Sequence, residues 1–516
     1  MNPSSPAFSG NPEHLGVLLR AVEQCDISIW NNWRMTNPAI RPALTGVALE
    51  GAVLFEANLA EANLGNANLR GCQLMGADLR GAVLVGADLD GANLFGANCL
   101  GADFSNGSLR GATLRCAMQG CTFEGANLDD ADLMGADFSG ARLAGALLRN
   151  AKAFGTRFRN AILASADLTG INLGNADLLK AECDNALFSD ASLLGAMFSE
   201  ASLRNAAFCR ADLTNAFLDR TILAGADLSG AKLTNANLMD ADLRNAIFRG
   251  TNLQGTVLMG AALSGNDLSN VNLSLANLAM ADLSEANLTD ANLTGVMMVG
   301  TDLRRATLKG CWVFGISPWE VLTEGADQQD LVVSKPSQPR VTVDDIEMAQ
   351  FIYLLLNNTR IRQVVDTVTS KIVLILGRFT SERKMVLDAV RDHLRARNYV
   401  PVLFDFDRPT HLDEVETVTL LARMARFIIA DLTEPHCVPD ELRAIVPDVE
   451  VPVIPIIERD TPYATFGTLR KYDWLLDVVR YQGIDDLLAS FDNSIISRAE
   501  NMSRKLEERK ARRDNH

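Results

Sequence analysis

From about Pro42 to Gly315 one five-residue phrase, A-(D/N)-L-x-x, returns again and again. It is plain in Ala57-Asn58-Leu59, Ala62-Asn63-Leu64 and Ala67-Asn68-Leu69. It is as plain in Ala226-Asp227-Leu228, Ala231-Lys232-Leu233, Ala236-Asn237-Leu238 and Ala241-Asp242-Leu243. About 55 such units fill slightly more than half of the 516 residues. The phase slips once, where Ala117 and Cys121 stand four residues apart. A period of five matches neither the 3.6 of a helix nor the 2.0 of a strand. The chain must turn every five residues so that Ala and Leu point inward each time. A square coil of four pentapeptides does this, and successive coils stack as parallel strands about 4.8 Å apart. About 14 coils then give a rod on the order of 65 Å long.

The phrase resembles the pentapeptide-repeat family, which implies a right-handed quadrilateral parallel β-helix. Leu or Phe at the centre of each unit, with Phe104, Phe138, Phe158, Phe188, Phe198, Phe208 and Phe248 among them, is expected to fill the axis. Ala two residues earlier suits a wall that a larger side chain would overpack. Cys72, Cys121 and Cys311 replace that Ala, and Cys99 and Cys183 the central Leu, so all five read as small buried hydrophobes. The repeat also explains a composition that is 48% apolar yet only 6% aromatic. So thin a core leaves no room for a ligand, and the rod is read as a binding surface for protein partners.

The net charge is −16, which argues against a nucleic-acid partner or an anionic membrane surface. Within the repeats about 28 acidic and 19 basic residues are interspersed. Quinolone-resistance members of the family use an acidic rod to imitate DNA and occupy gyrase. That is one reading of this rod; the other is that Asp and Asn simply solvate its wall. The nine cysteines include no CxxC pair, and no metal site is expected. No leader shows in MNPSSPAFSG and no run nears the ~20 apolar residues of a membrane helix, so the expectation is a cytoplasmic chain without a membrane span.

A solenoid needs caps. Residues 1–41 are read as the N-terminal cap, with Asn11 and Pro12 opening a helix whose apolar stripe is Leu15, Val17, Leu18, Ala21 and Val22. Trp30-Asn31-Asn32-Trp33 resembles the tryptophan-rich segment before the first coil of bacterial multi-unit pentapeptide proteins; a partner-binding helix is the alternative. Residues 42–315 form the β-helix, and 316–370 a linker and connector helices. The stripe Ile346, Ala349, Ile352, Leu355 and Leu356 marks one connector helix ending near Asn357-Asn358, with a second from about Thr359 to Thr367. The run 351–356 is apolar almost all round, and should be buried on this chain or, through 341–366, in self-association.

From Lys371 short apolar strands alternate with amphipathic helices, which implies a parallel sheet covered on both faces, residues 371–496. Strands are expected at 372–376, 400–404, 427–431 and 451–457; residues 497–516 are a charged helix or tail. Ligands of such sheets lie beyond the carboxyl ends of the strands. Those ends carry Gly377, Arg378, Phe379, Asp405, Asp407 and Asp431. The order, with Ile429-Ala430-Asp431-Leu432-Thr433 and then Glu441-Leu442-Arg443, resembles the TIR-like flavodoxin fold and its relatives the nucleoside deoxyribosyltransferases. The resemblance implies that Glu441 is the carboxylate that attacks or stabilises a ribose anomeric carbon. It also implies that Asp431 orients ribose hydroxyls, and that Arg378 or the Gly377 backbone meets a phosphate of NAD or another nucleotide. Ordinary readings stand beside these: Glu441 favoured by a helix dipole, Asp405 and Asp431 as turn or capping residues.

The whole chain resembles bacterial pentapeptide-repeat proteins with a TIR-like tail. This implies an interaction scaffold carrying a signalling or nucleotide-sensing domain, in stress or antiphage defence. The enzyme reading is an NAD or nucleoside N-glycosidic hydrolase acting through Glu441; the third is a gyrase-directed DNA mimic.

Overall fold

The computed structural model describes residues 8–335, 338–357, 371–377, 380–405, 412–433, 438–459 and 469–514. It comprises two units. The first is Met1–Asn292 with Val296–Thr307 and Trp319–Ala326; the second is Leu293–Gly295, Leu308–Pro318 and Asp327–His516.

The first unit is a parallel β-solenoid. Along the solenoid, parallel bridges join residues twenty positions apart, from Ala43–Asn63 to Asp302–Leu322, so four pentapeptides close one coil. Where the phase slips, Asn98 bridges to Ala117, Asp103 to Thr122, Ser108 to Asn127 and Thr113 to Asp132, each nineteen on. Twenty-residue pairing resumes at Ala117–Asp137, so one side of one coil is shortened and the stack continues. The central Leu and Phe side chains and the Ala wall are buried, as are Cys72, Cys99, Cys121, Cys183 and Cys311. Burial pushes the Cys72 thiol up to about 11 and the Cys121 thiol up to about 12, which keeps both protonated at neutral pH. Phe104 and Phe123 stack at 4.9 Å, and Phe138 lies 5.5 Å from Phe123 and 5.2 Å from Phe158, a column of rings along the axis.

The polar residues do more than solvate. The Asp or Asn before the central Leu accepts, through Oδ1, the N–H two residues on: Asp103 from Ser105 at 2.9 Å, Asp227 from Ser229 at 2.9 Å, Asn277 from Ala279 at 3.0 Å. This Asx turn bends the chain at the coil corner. Two residues after the central Leu the backbone is left-handed, which is why Gly, Asn and Asp hold most corners. Leu275 sits at such a corner with φ 62° and an exposed side chain. Replacing it by Gly is expected to raise stability by about 1 kcal/mol. The check is the melting temperature of Leu275→Gly; a fall would mean that the leucine side chain holds something in place.

The N-terminal cap works by hydrogen bonding. It is two helices, α1 (Pro12–Glu23) and α2 (Ser28–Thr36), separated near Cys25, whose φ is 54°. The Asn11 side chain accepts from the Glu13 N–H at the start of α1. The carbonyls of Asn58 and Ala60 have no preceding coil to donate to them. The Trp30 indole N–H donates to Asn58 at 2.8 Å and Arg34 donates to Ala60 at 2.8 Å.

The repeat outlasts its sequence signature. In the sequence the repeat ends at Gly315 and a linker follows, but the coil pattern reappears over 321–330. Leu331–Val332 (β1) then continues it, with Trp312 bridging to Val332. The ladder is made by backbone groups and survives loss of the Ala and Leu. β1 pairs antiparallel with β2 (Val341–Val343), and β2 pairs antiparallel with β4 (Val400–Asp405), so this stretch enters a sheet. α3 (Ile346–Asn357) buries Ile346, Ala349, Ile352 and Leu355, while Phe351 is exposed, so the run is one-sided and not buried all round. The second connector helix proposed from the sequence falls at 359–367, outside the described residues.

The remaining strands are β3 (Ile372–Gly377), β5 (Phe427–Asp431), β6 (Val453–Glu458) and β7 (Val479–Tyr481). The sheet order is β1-β2-β4-β3-β5-β6-β7, parallel from β4 to β7. The helices are α4 (Ser381–Arg395), α5 (Leu412–Met424), α6 (Val438–Ile445), α7 (Ile484–Phe491) and α8 (Ser497–Asp514). Among the described residues no helix is long and apolar enough to cross a membrane.

Candidate functional site

The strand order reverses around β3. The chain passes from β3 to β4 on one side and returns to β5 on the other, and in parallel sheets such a switch opens a crevice at the carboxyl edge. Gly377 ends β3 in register with Asp405 at the end of β4. A Cβ on Gly377 would lie 2.9 Å from Leu387 Cδ1 and 3.5 Å from Asp431 Cβ, so the glycine lets α4 close onto this edge. The edge thus gathers Gly377, Asp405 and Asp431. Glu441 lies in the first turn of α6, which follows β5; its side chain and that of Asp405 are outside the described residues. Arg378, Phe379 and Asp407 are outside them altogether.

Asp431 is engaged on both oxygens. Its Oδ2 accepts from Arg383 Nε at 2.9 Å and Nη2 at 2.6 Å. Its Oδ1 accepts from the Thr433 N–H at 3.0 Å and hydroxyl at 2.6 Å. Arg383 also donates to Glu458 at 2.7 Å and to the Tyr481 hydroxyl. The Arg383 and Asp431 side chains are 6% and 2% exposed, so this is a buried ion pair with a second carboxylate attached. Burial opposes the charge on Arg383, but Asp431 and Tyr481 outweigh it and hold the guanidinium above its ordinary value. Burial, then the Asp431 charge, raises the Tyr481 hydroxyl, which stays neutral.

Arg383 and Tyr481 escaped the sequence reading. One signal was there: an arginine in the first turn of a helix sits against the helix dipole and needs a carboxylate to hold it. A cleft of about 590 Å³ in this unit lies at the opposite edge, near the starts of β5 and β6. It is lined by Arg423, Arg426 and Lys510 together with Asp448, Glu450 and Glu507. Among the described residues no three His, Cys, Asp or Glu gather into a set that could hold a metal ion.

On the solenoid, many of the charges are paired in place. One column of successive coils reads Glu50, Arg70, Asp90, Arg110, Asp129, Arg149. Arg70 lies 3.1 Å from Asp88 and 3.3 Å from Asp90, and Arg149 lies 2.5 Å from Asp129. Elsewhere the Arg80 hydrogen bond holds the Asp78 carboxyl below its usual range, as Arg244 does for Asp242 and Arg304 for Asp302. A carboxylate depressed in the folded chain stabilises it fully above the unfolded value, about 3.9, and this is lost as pH falls through the folded values. The melting temperature is expected to hold from neutrality to about pH 5 and to drop below about pH 4. A flat profile down to about pH 2 would mean that these pairs contribute nothing.

The class is therefore a parallel solenoid of pentapeptides followed by an α/β unit. A family model for pentapeptide repeats matches in eight copies, spanning residues 43–71, 72–111, 115–150, 141–178, 166–205, 201–238, 236–274 and 272–310. The chain belongs to the pentapeptide-repeat family. Among solved structures it is similar to HetL, a pentapeptide repeat protein involved in heterocyst differentiation regulation from the cyanobacterium Nostoc sp. strain PCC 7120. The identity is 30%, over 43% of this chain and 92% of that one, with a TM-score of 0.27. It is also similar to QnrB1, a plasmid-mediated fluoroquinolone resistance protein, at 24% identity over 32% of this chain and 84% of that one, TM-score 0.24. A pentapeptide repeat protein of the Arabidopsis thaliana thylakoid lumen is 26% identical over 25% of this chain and 68% of that one, TM-score 0.13. No curated protein sequence matches the chain.

Proposed function

We propose that the chain is an interaction scaffold whose solenoid carries a TIR-like, flavodoxin-like module that signals or senses a nucleotide by contact, in a cytoplasmic stress or antiphage-defence response. The parallel order β4-β3-β5-β6-β7 supports the flavodoxin-like reading, because it places the second strand outside the first and the third to fifth in sequence beyond it. One observation carries the preference for contact over catalysis. The carboxylate that a ribose would need, Asp431, already binds Arg383 and Thr433 on both oxygens. The ion-pair ladders speak against DNA mimicry, since arginines set between the aspartates leave gyrase no continuous acidic track.

The test is mass spectrometry of small molecules retained by the purified full chain, with a gyrase supercoiling assay beside it. An intact nucleotide held in proportion to protein, or none, agrees with the scaffold. A free base or ADP-ribose held in the site would replace it by a hydrolase. Inhibition of supercoiling by a modest molar excess of the chain would replace it by the mimic.

A further inference from the structure

Six large apolar side chains stand in one column of the solenoid, between 36% and 51% exposed: Phe55, Met75, Phe95, Met134, Phe154 and Leu194. The backbone fixes the column. The N–H after each ridge residue donates to the carbonyl of the residue one coil on: Glu56 to Met75, Gly76 to Phe95, Gly135 to Phe154, Asn175 to Leu194, at 2.8–3.1 Å. Two coils interrupt the ridge. Arg115 lies against Met134 Sδ at 3.4 Å and pairs with Asp132, and Gly174 is a low step over which the Phe154 ring leans. Phe55 to Leu194 spans seven coil steps, about 34 Å.

The rest of this face is bare and neutral. One flank is a run of left-handed glycine corners, Gly76, Gly96, Gly135 and Gly155, with no side chain to shield the ridge. Over residues 53–195 the face carries only Glu56, Arg115, Asp132 and Lys152 as charges, and these cancel. In a chain of net charge −16, two copies repel over most of their surface but can meet here without like charges opposed.

We propose that this face is the contact between two copies of the chain, packed sheet on sheet with the solenoids antiparallel. Reversing the ridge about its centre, between Arg115 and Met134, matches it to itself. Phe95 then meets the partner's Phe154, Phe55 meets the partner's Leu194, and Met75 meets the low step at the partner's Gly174. Aligned sheets about 10 Å apart accommodate side chains of this size. Six side chains of ~200 Å² each, a little under half exposed, offer on the order of 500 Å² per copy. The pair then reaches about 1,000 Å², where specific interfaces begin, so a weak dimer is expected.

The pairing rests on the scaffold reading only in taking the solenoid as the binding element. The test is sedimentation velocity on the full chain from about 1 to 100 µM, a range that brackets a micromolar Kd. The wild type is expected to shift from monomer to dimer. Phe95→Asp/Phe154→Asp should weaken that association at least tenfold, with the melting temperature unchanged because both side chains are exposed. Leu194→Glu is the single-site check, should the double variant melt lower. A wild type that stays monomeric throughout, or a dimer indifferent to both variants, overturns the proposal. Either result leaves the scaffold reading standing, because that falls on retained hydrolysis products or on gyrase inhibition.

Discussion

Arg383→Met is expected to destabilise the α/β unit by roughly 3–5 kcal/mol. The loss comes less from the Coulombic attraction removed than from what remains. Asp431, 2% exposed, would be left buried without its cation, and the Glu458 carboxylate and Tyr481 hydroxyl would each lose a donor. Two buried charges removed together cost less than one. Arg383→Met with Asp431→Leu should therefore recover part of the loss. Urea unfolding followed by circular dichroism measures both. A single-variant cost below about 1 kcal/mol would mean that the carboxyl edge is open to water, and with it the crevice.

The second large effect is expected in the solenoid. Phe123 stacks on Phe104 and touches Phe138, so Phe123→Ala leaves a cavity on the axis where neighbouring coils cannot close in. A loss of about 3–5 kcal/mol follows from the buried ring. Because each coil contacts only its neighbours, the damage should be local. Hydrogen exchange should quicken in the coils that carry Phe104 to Phe158 and stay slow around Leu263 to Leu303. Uniform acceleration along the solenoid would show that it melts as one block.

What the sequence makes legible, and what it hides, follows from how each feature is encoded. The Ala and Leu columns are written every five residues because the side chains themselves fill the axis. The corners are written less clearly. Gly and Asn favour the left-handed backbone, but Lys180, Arg210 and Leu275 adopt it too, carried by the coils on either side. After Gly315 the ladder continues on backbone groups alone, so Trp319 and Leu322 extend it without the motif. β7 escapes because three residues with Arg480 in the middle show no apolar run. The Arg383–Asp431 pair lies 48 positions apart and has no local pattern.

The ridge was in plain view as a twenty-residue period, Phe55, Met75, Phe95. The five-residue period overprints it, and the slip moves its next member to Met134. Of the residues proposed for a nucleotide, the sequence did foresee that Gly377, Asp405 and Asp431 share a strand-end edge, because parallel strands of similar length end together. It could not foresee that a helix arginine would already hold Asp431.

The proposal that the chain works by contact, without glycosidic chemistry in its α/β unit, has a direct test. It is to incubate the purified full chain with NAD and with common nucleosides and to separate the products by chromatography. The expected result is intact substrate, for the wild type and for Glu441→Gln alike. Release of nicotinamide or free base by the wild type, abolished in Glu441→Gln, would contradict the claim and make Glu441 a catalytic carboxylate.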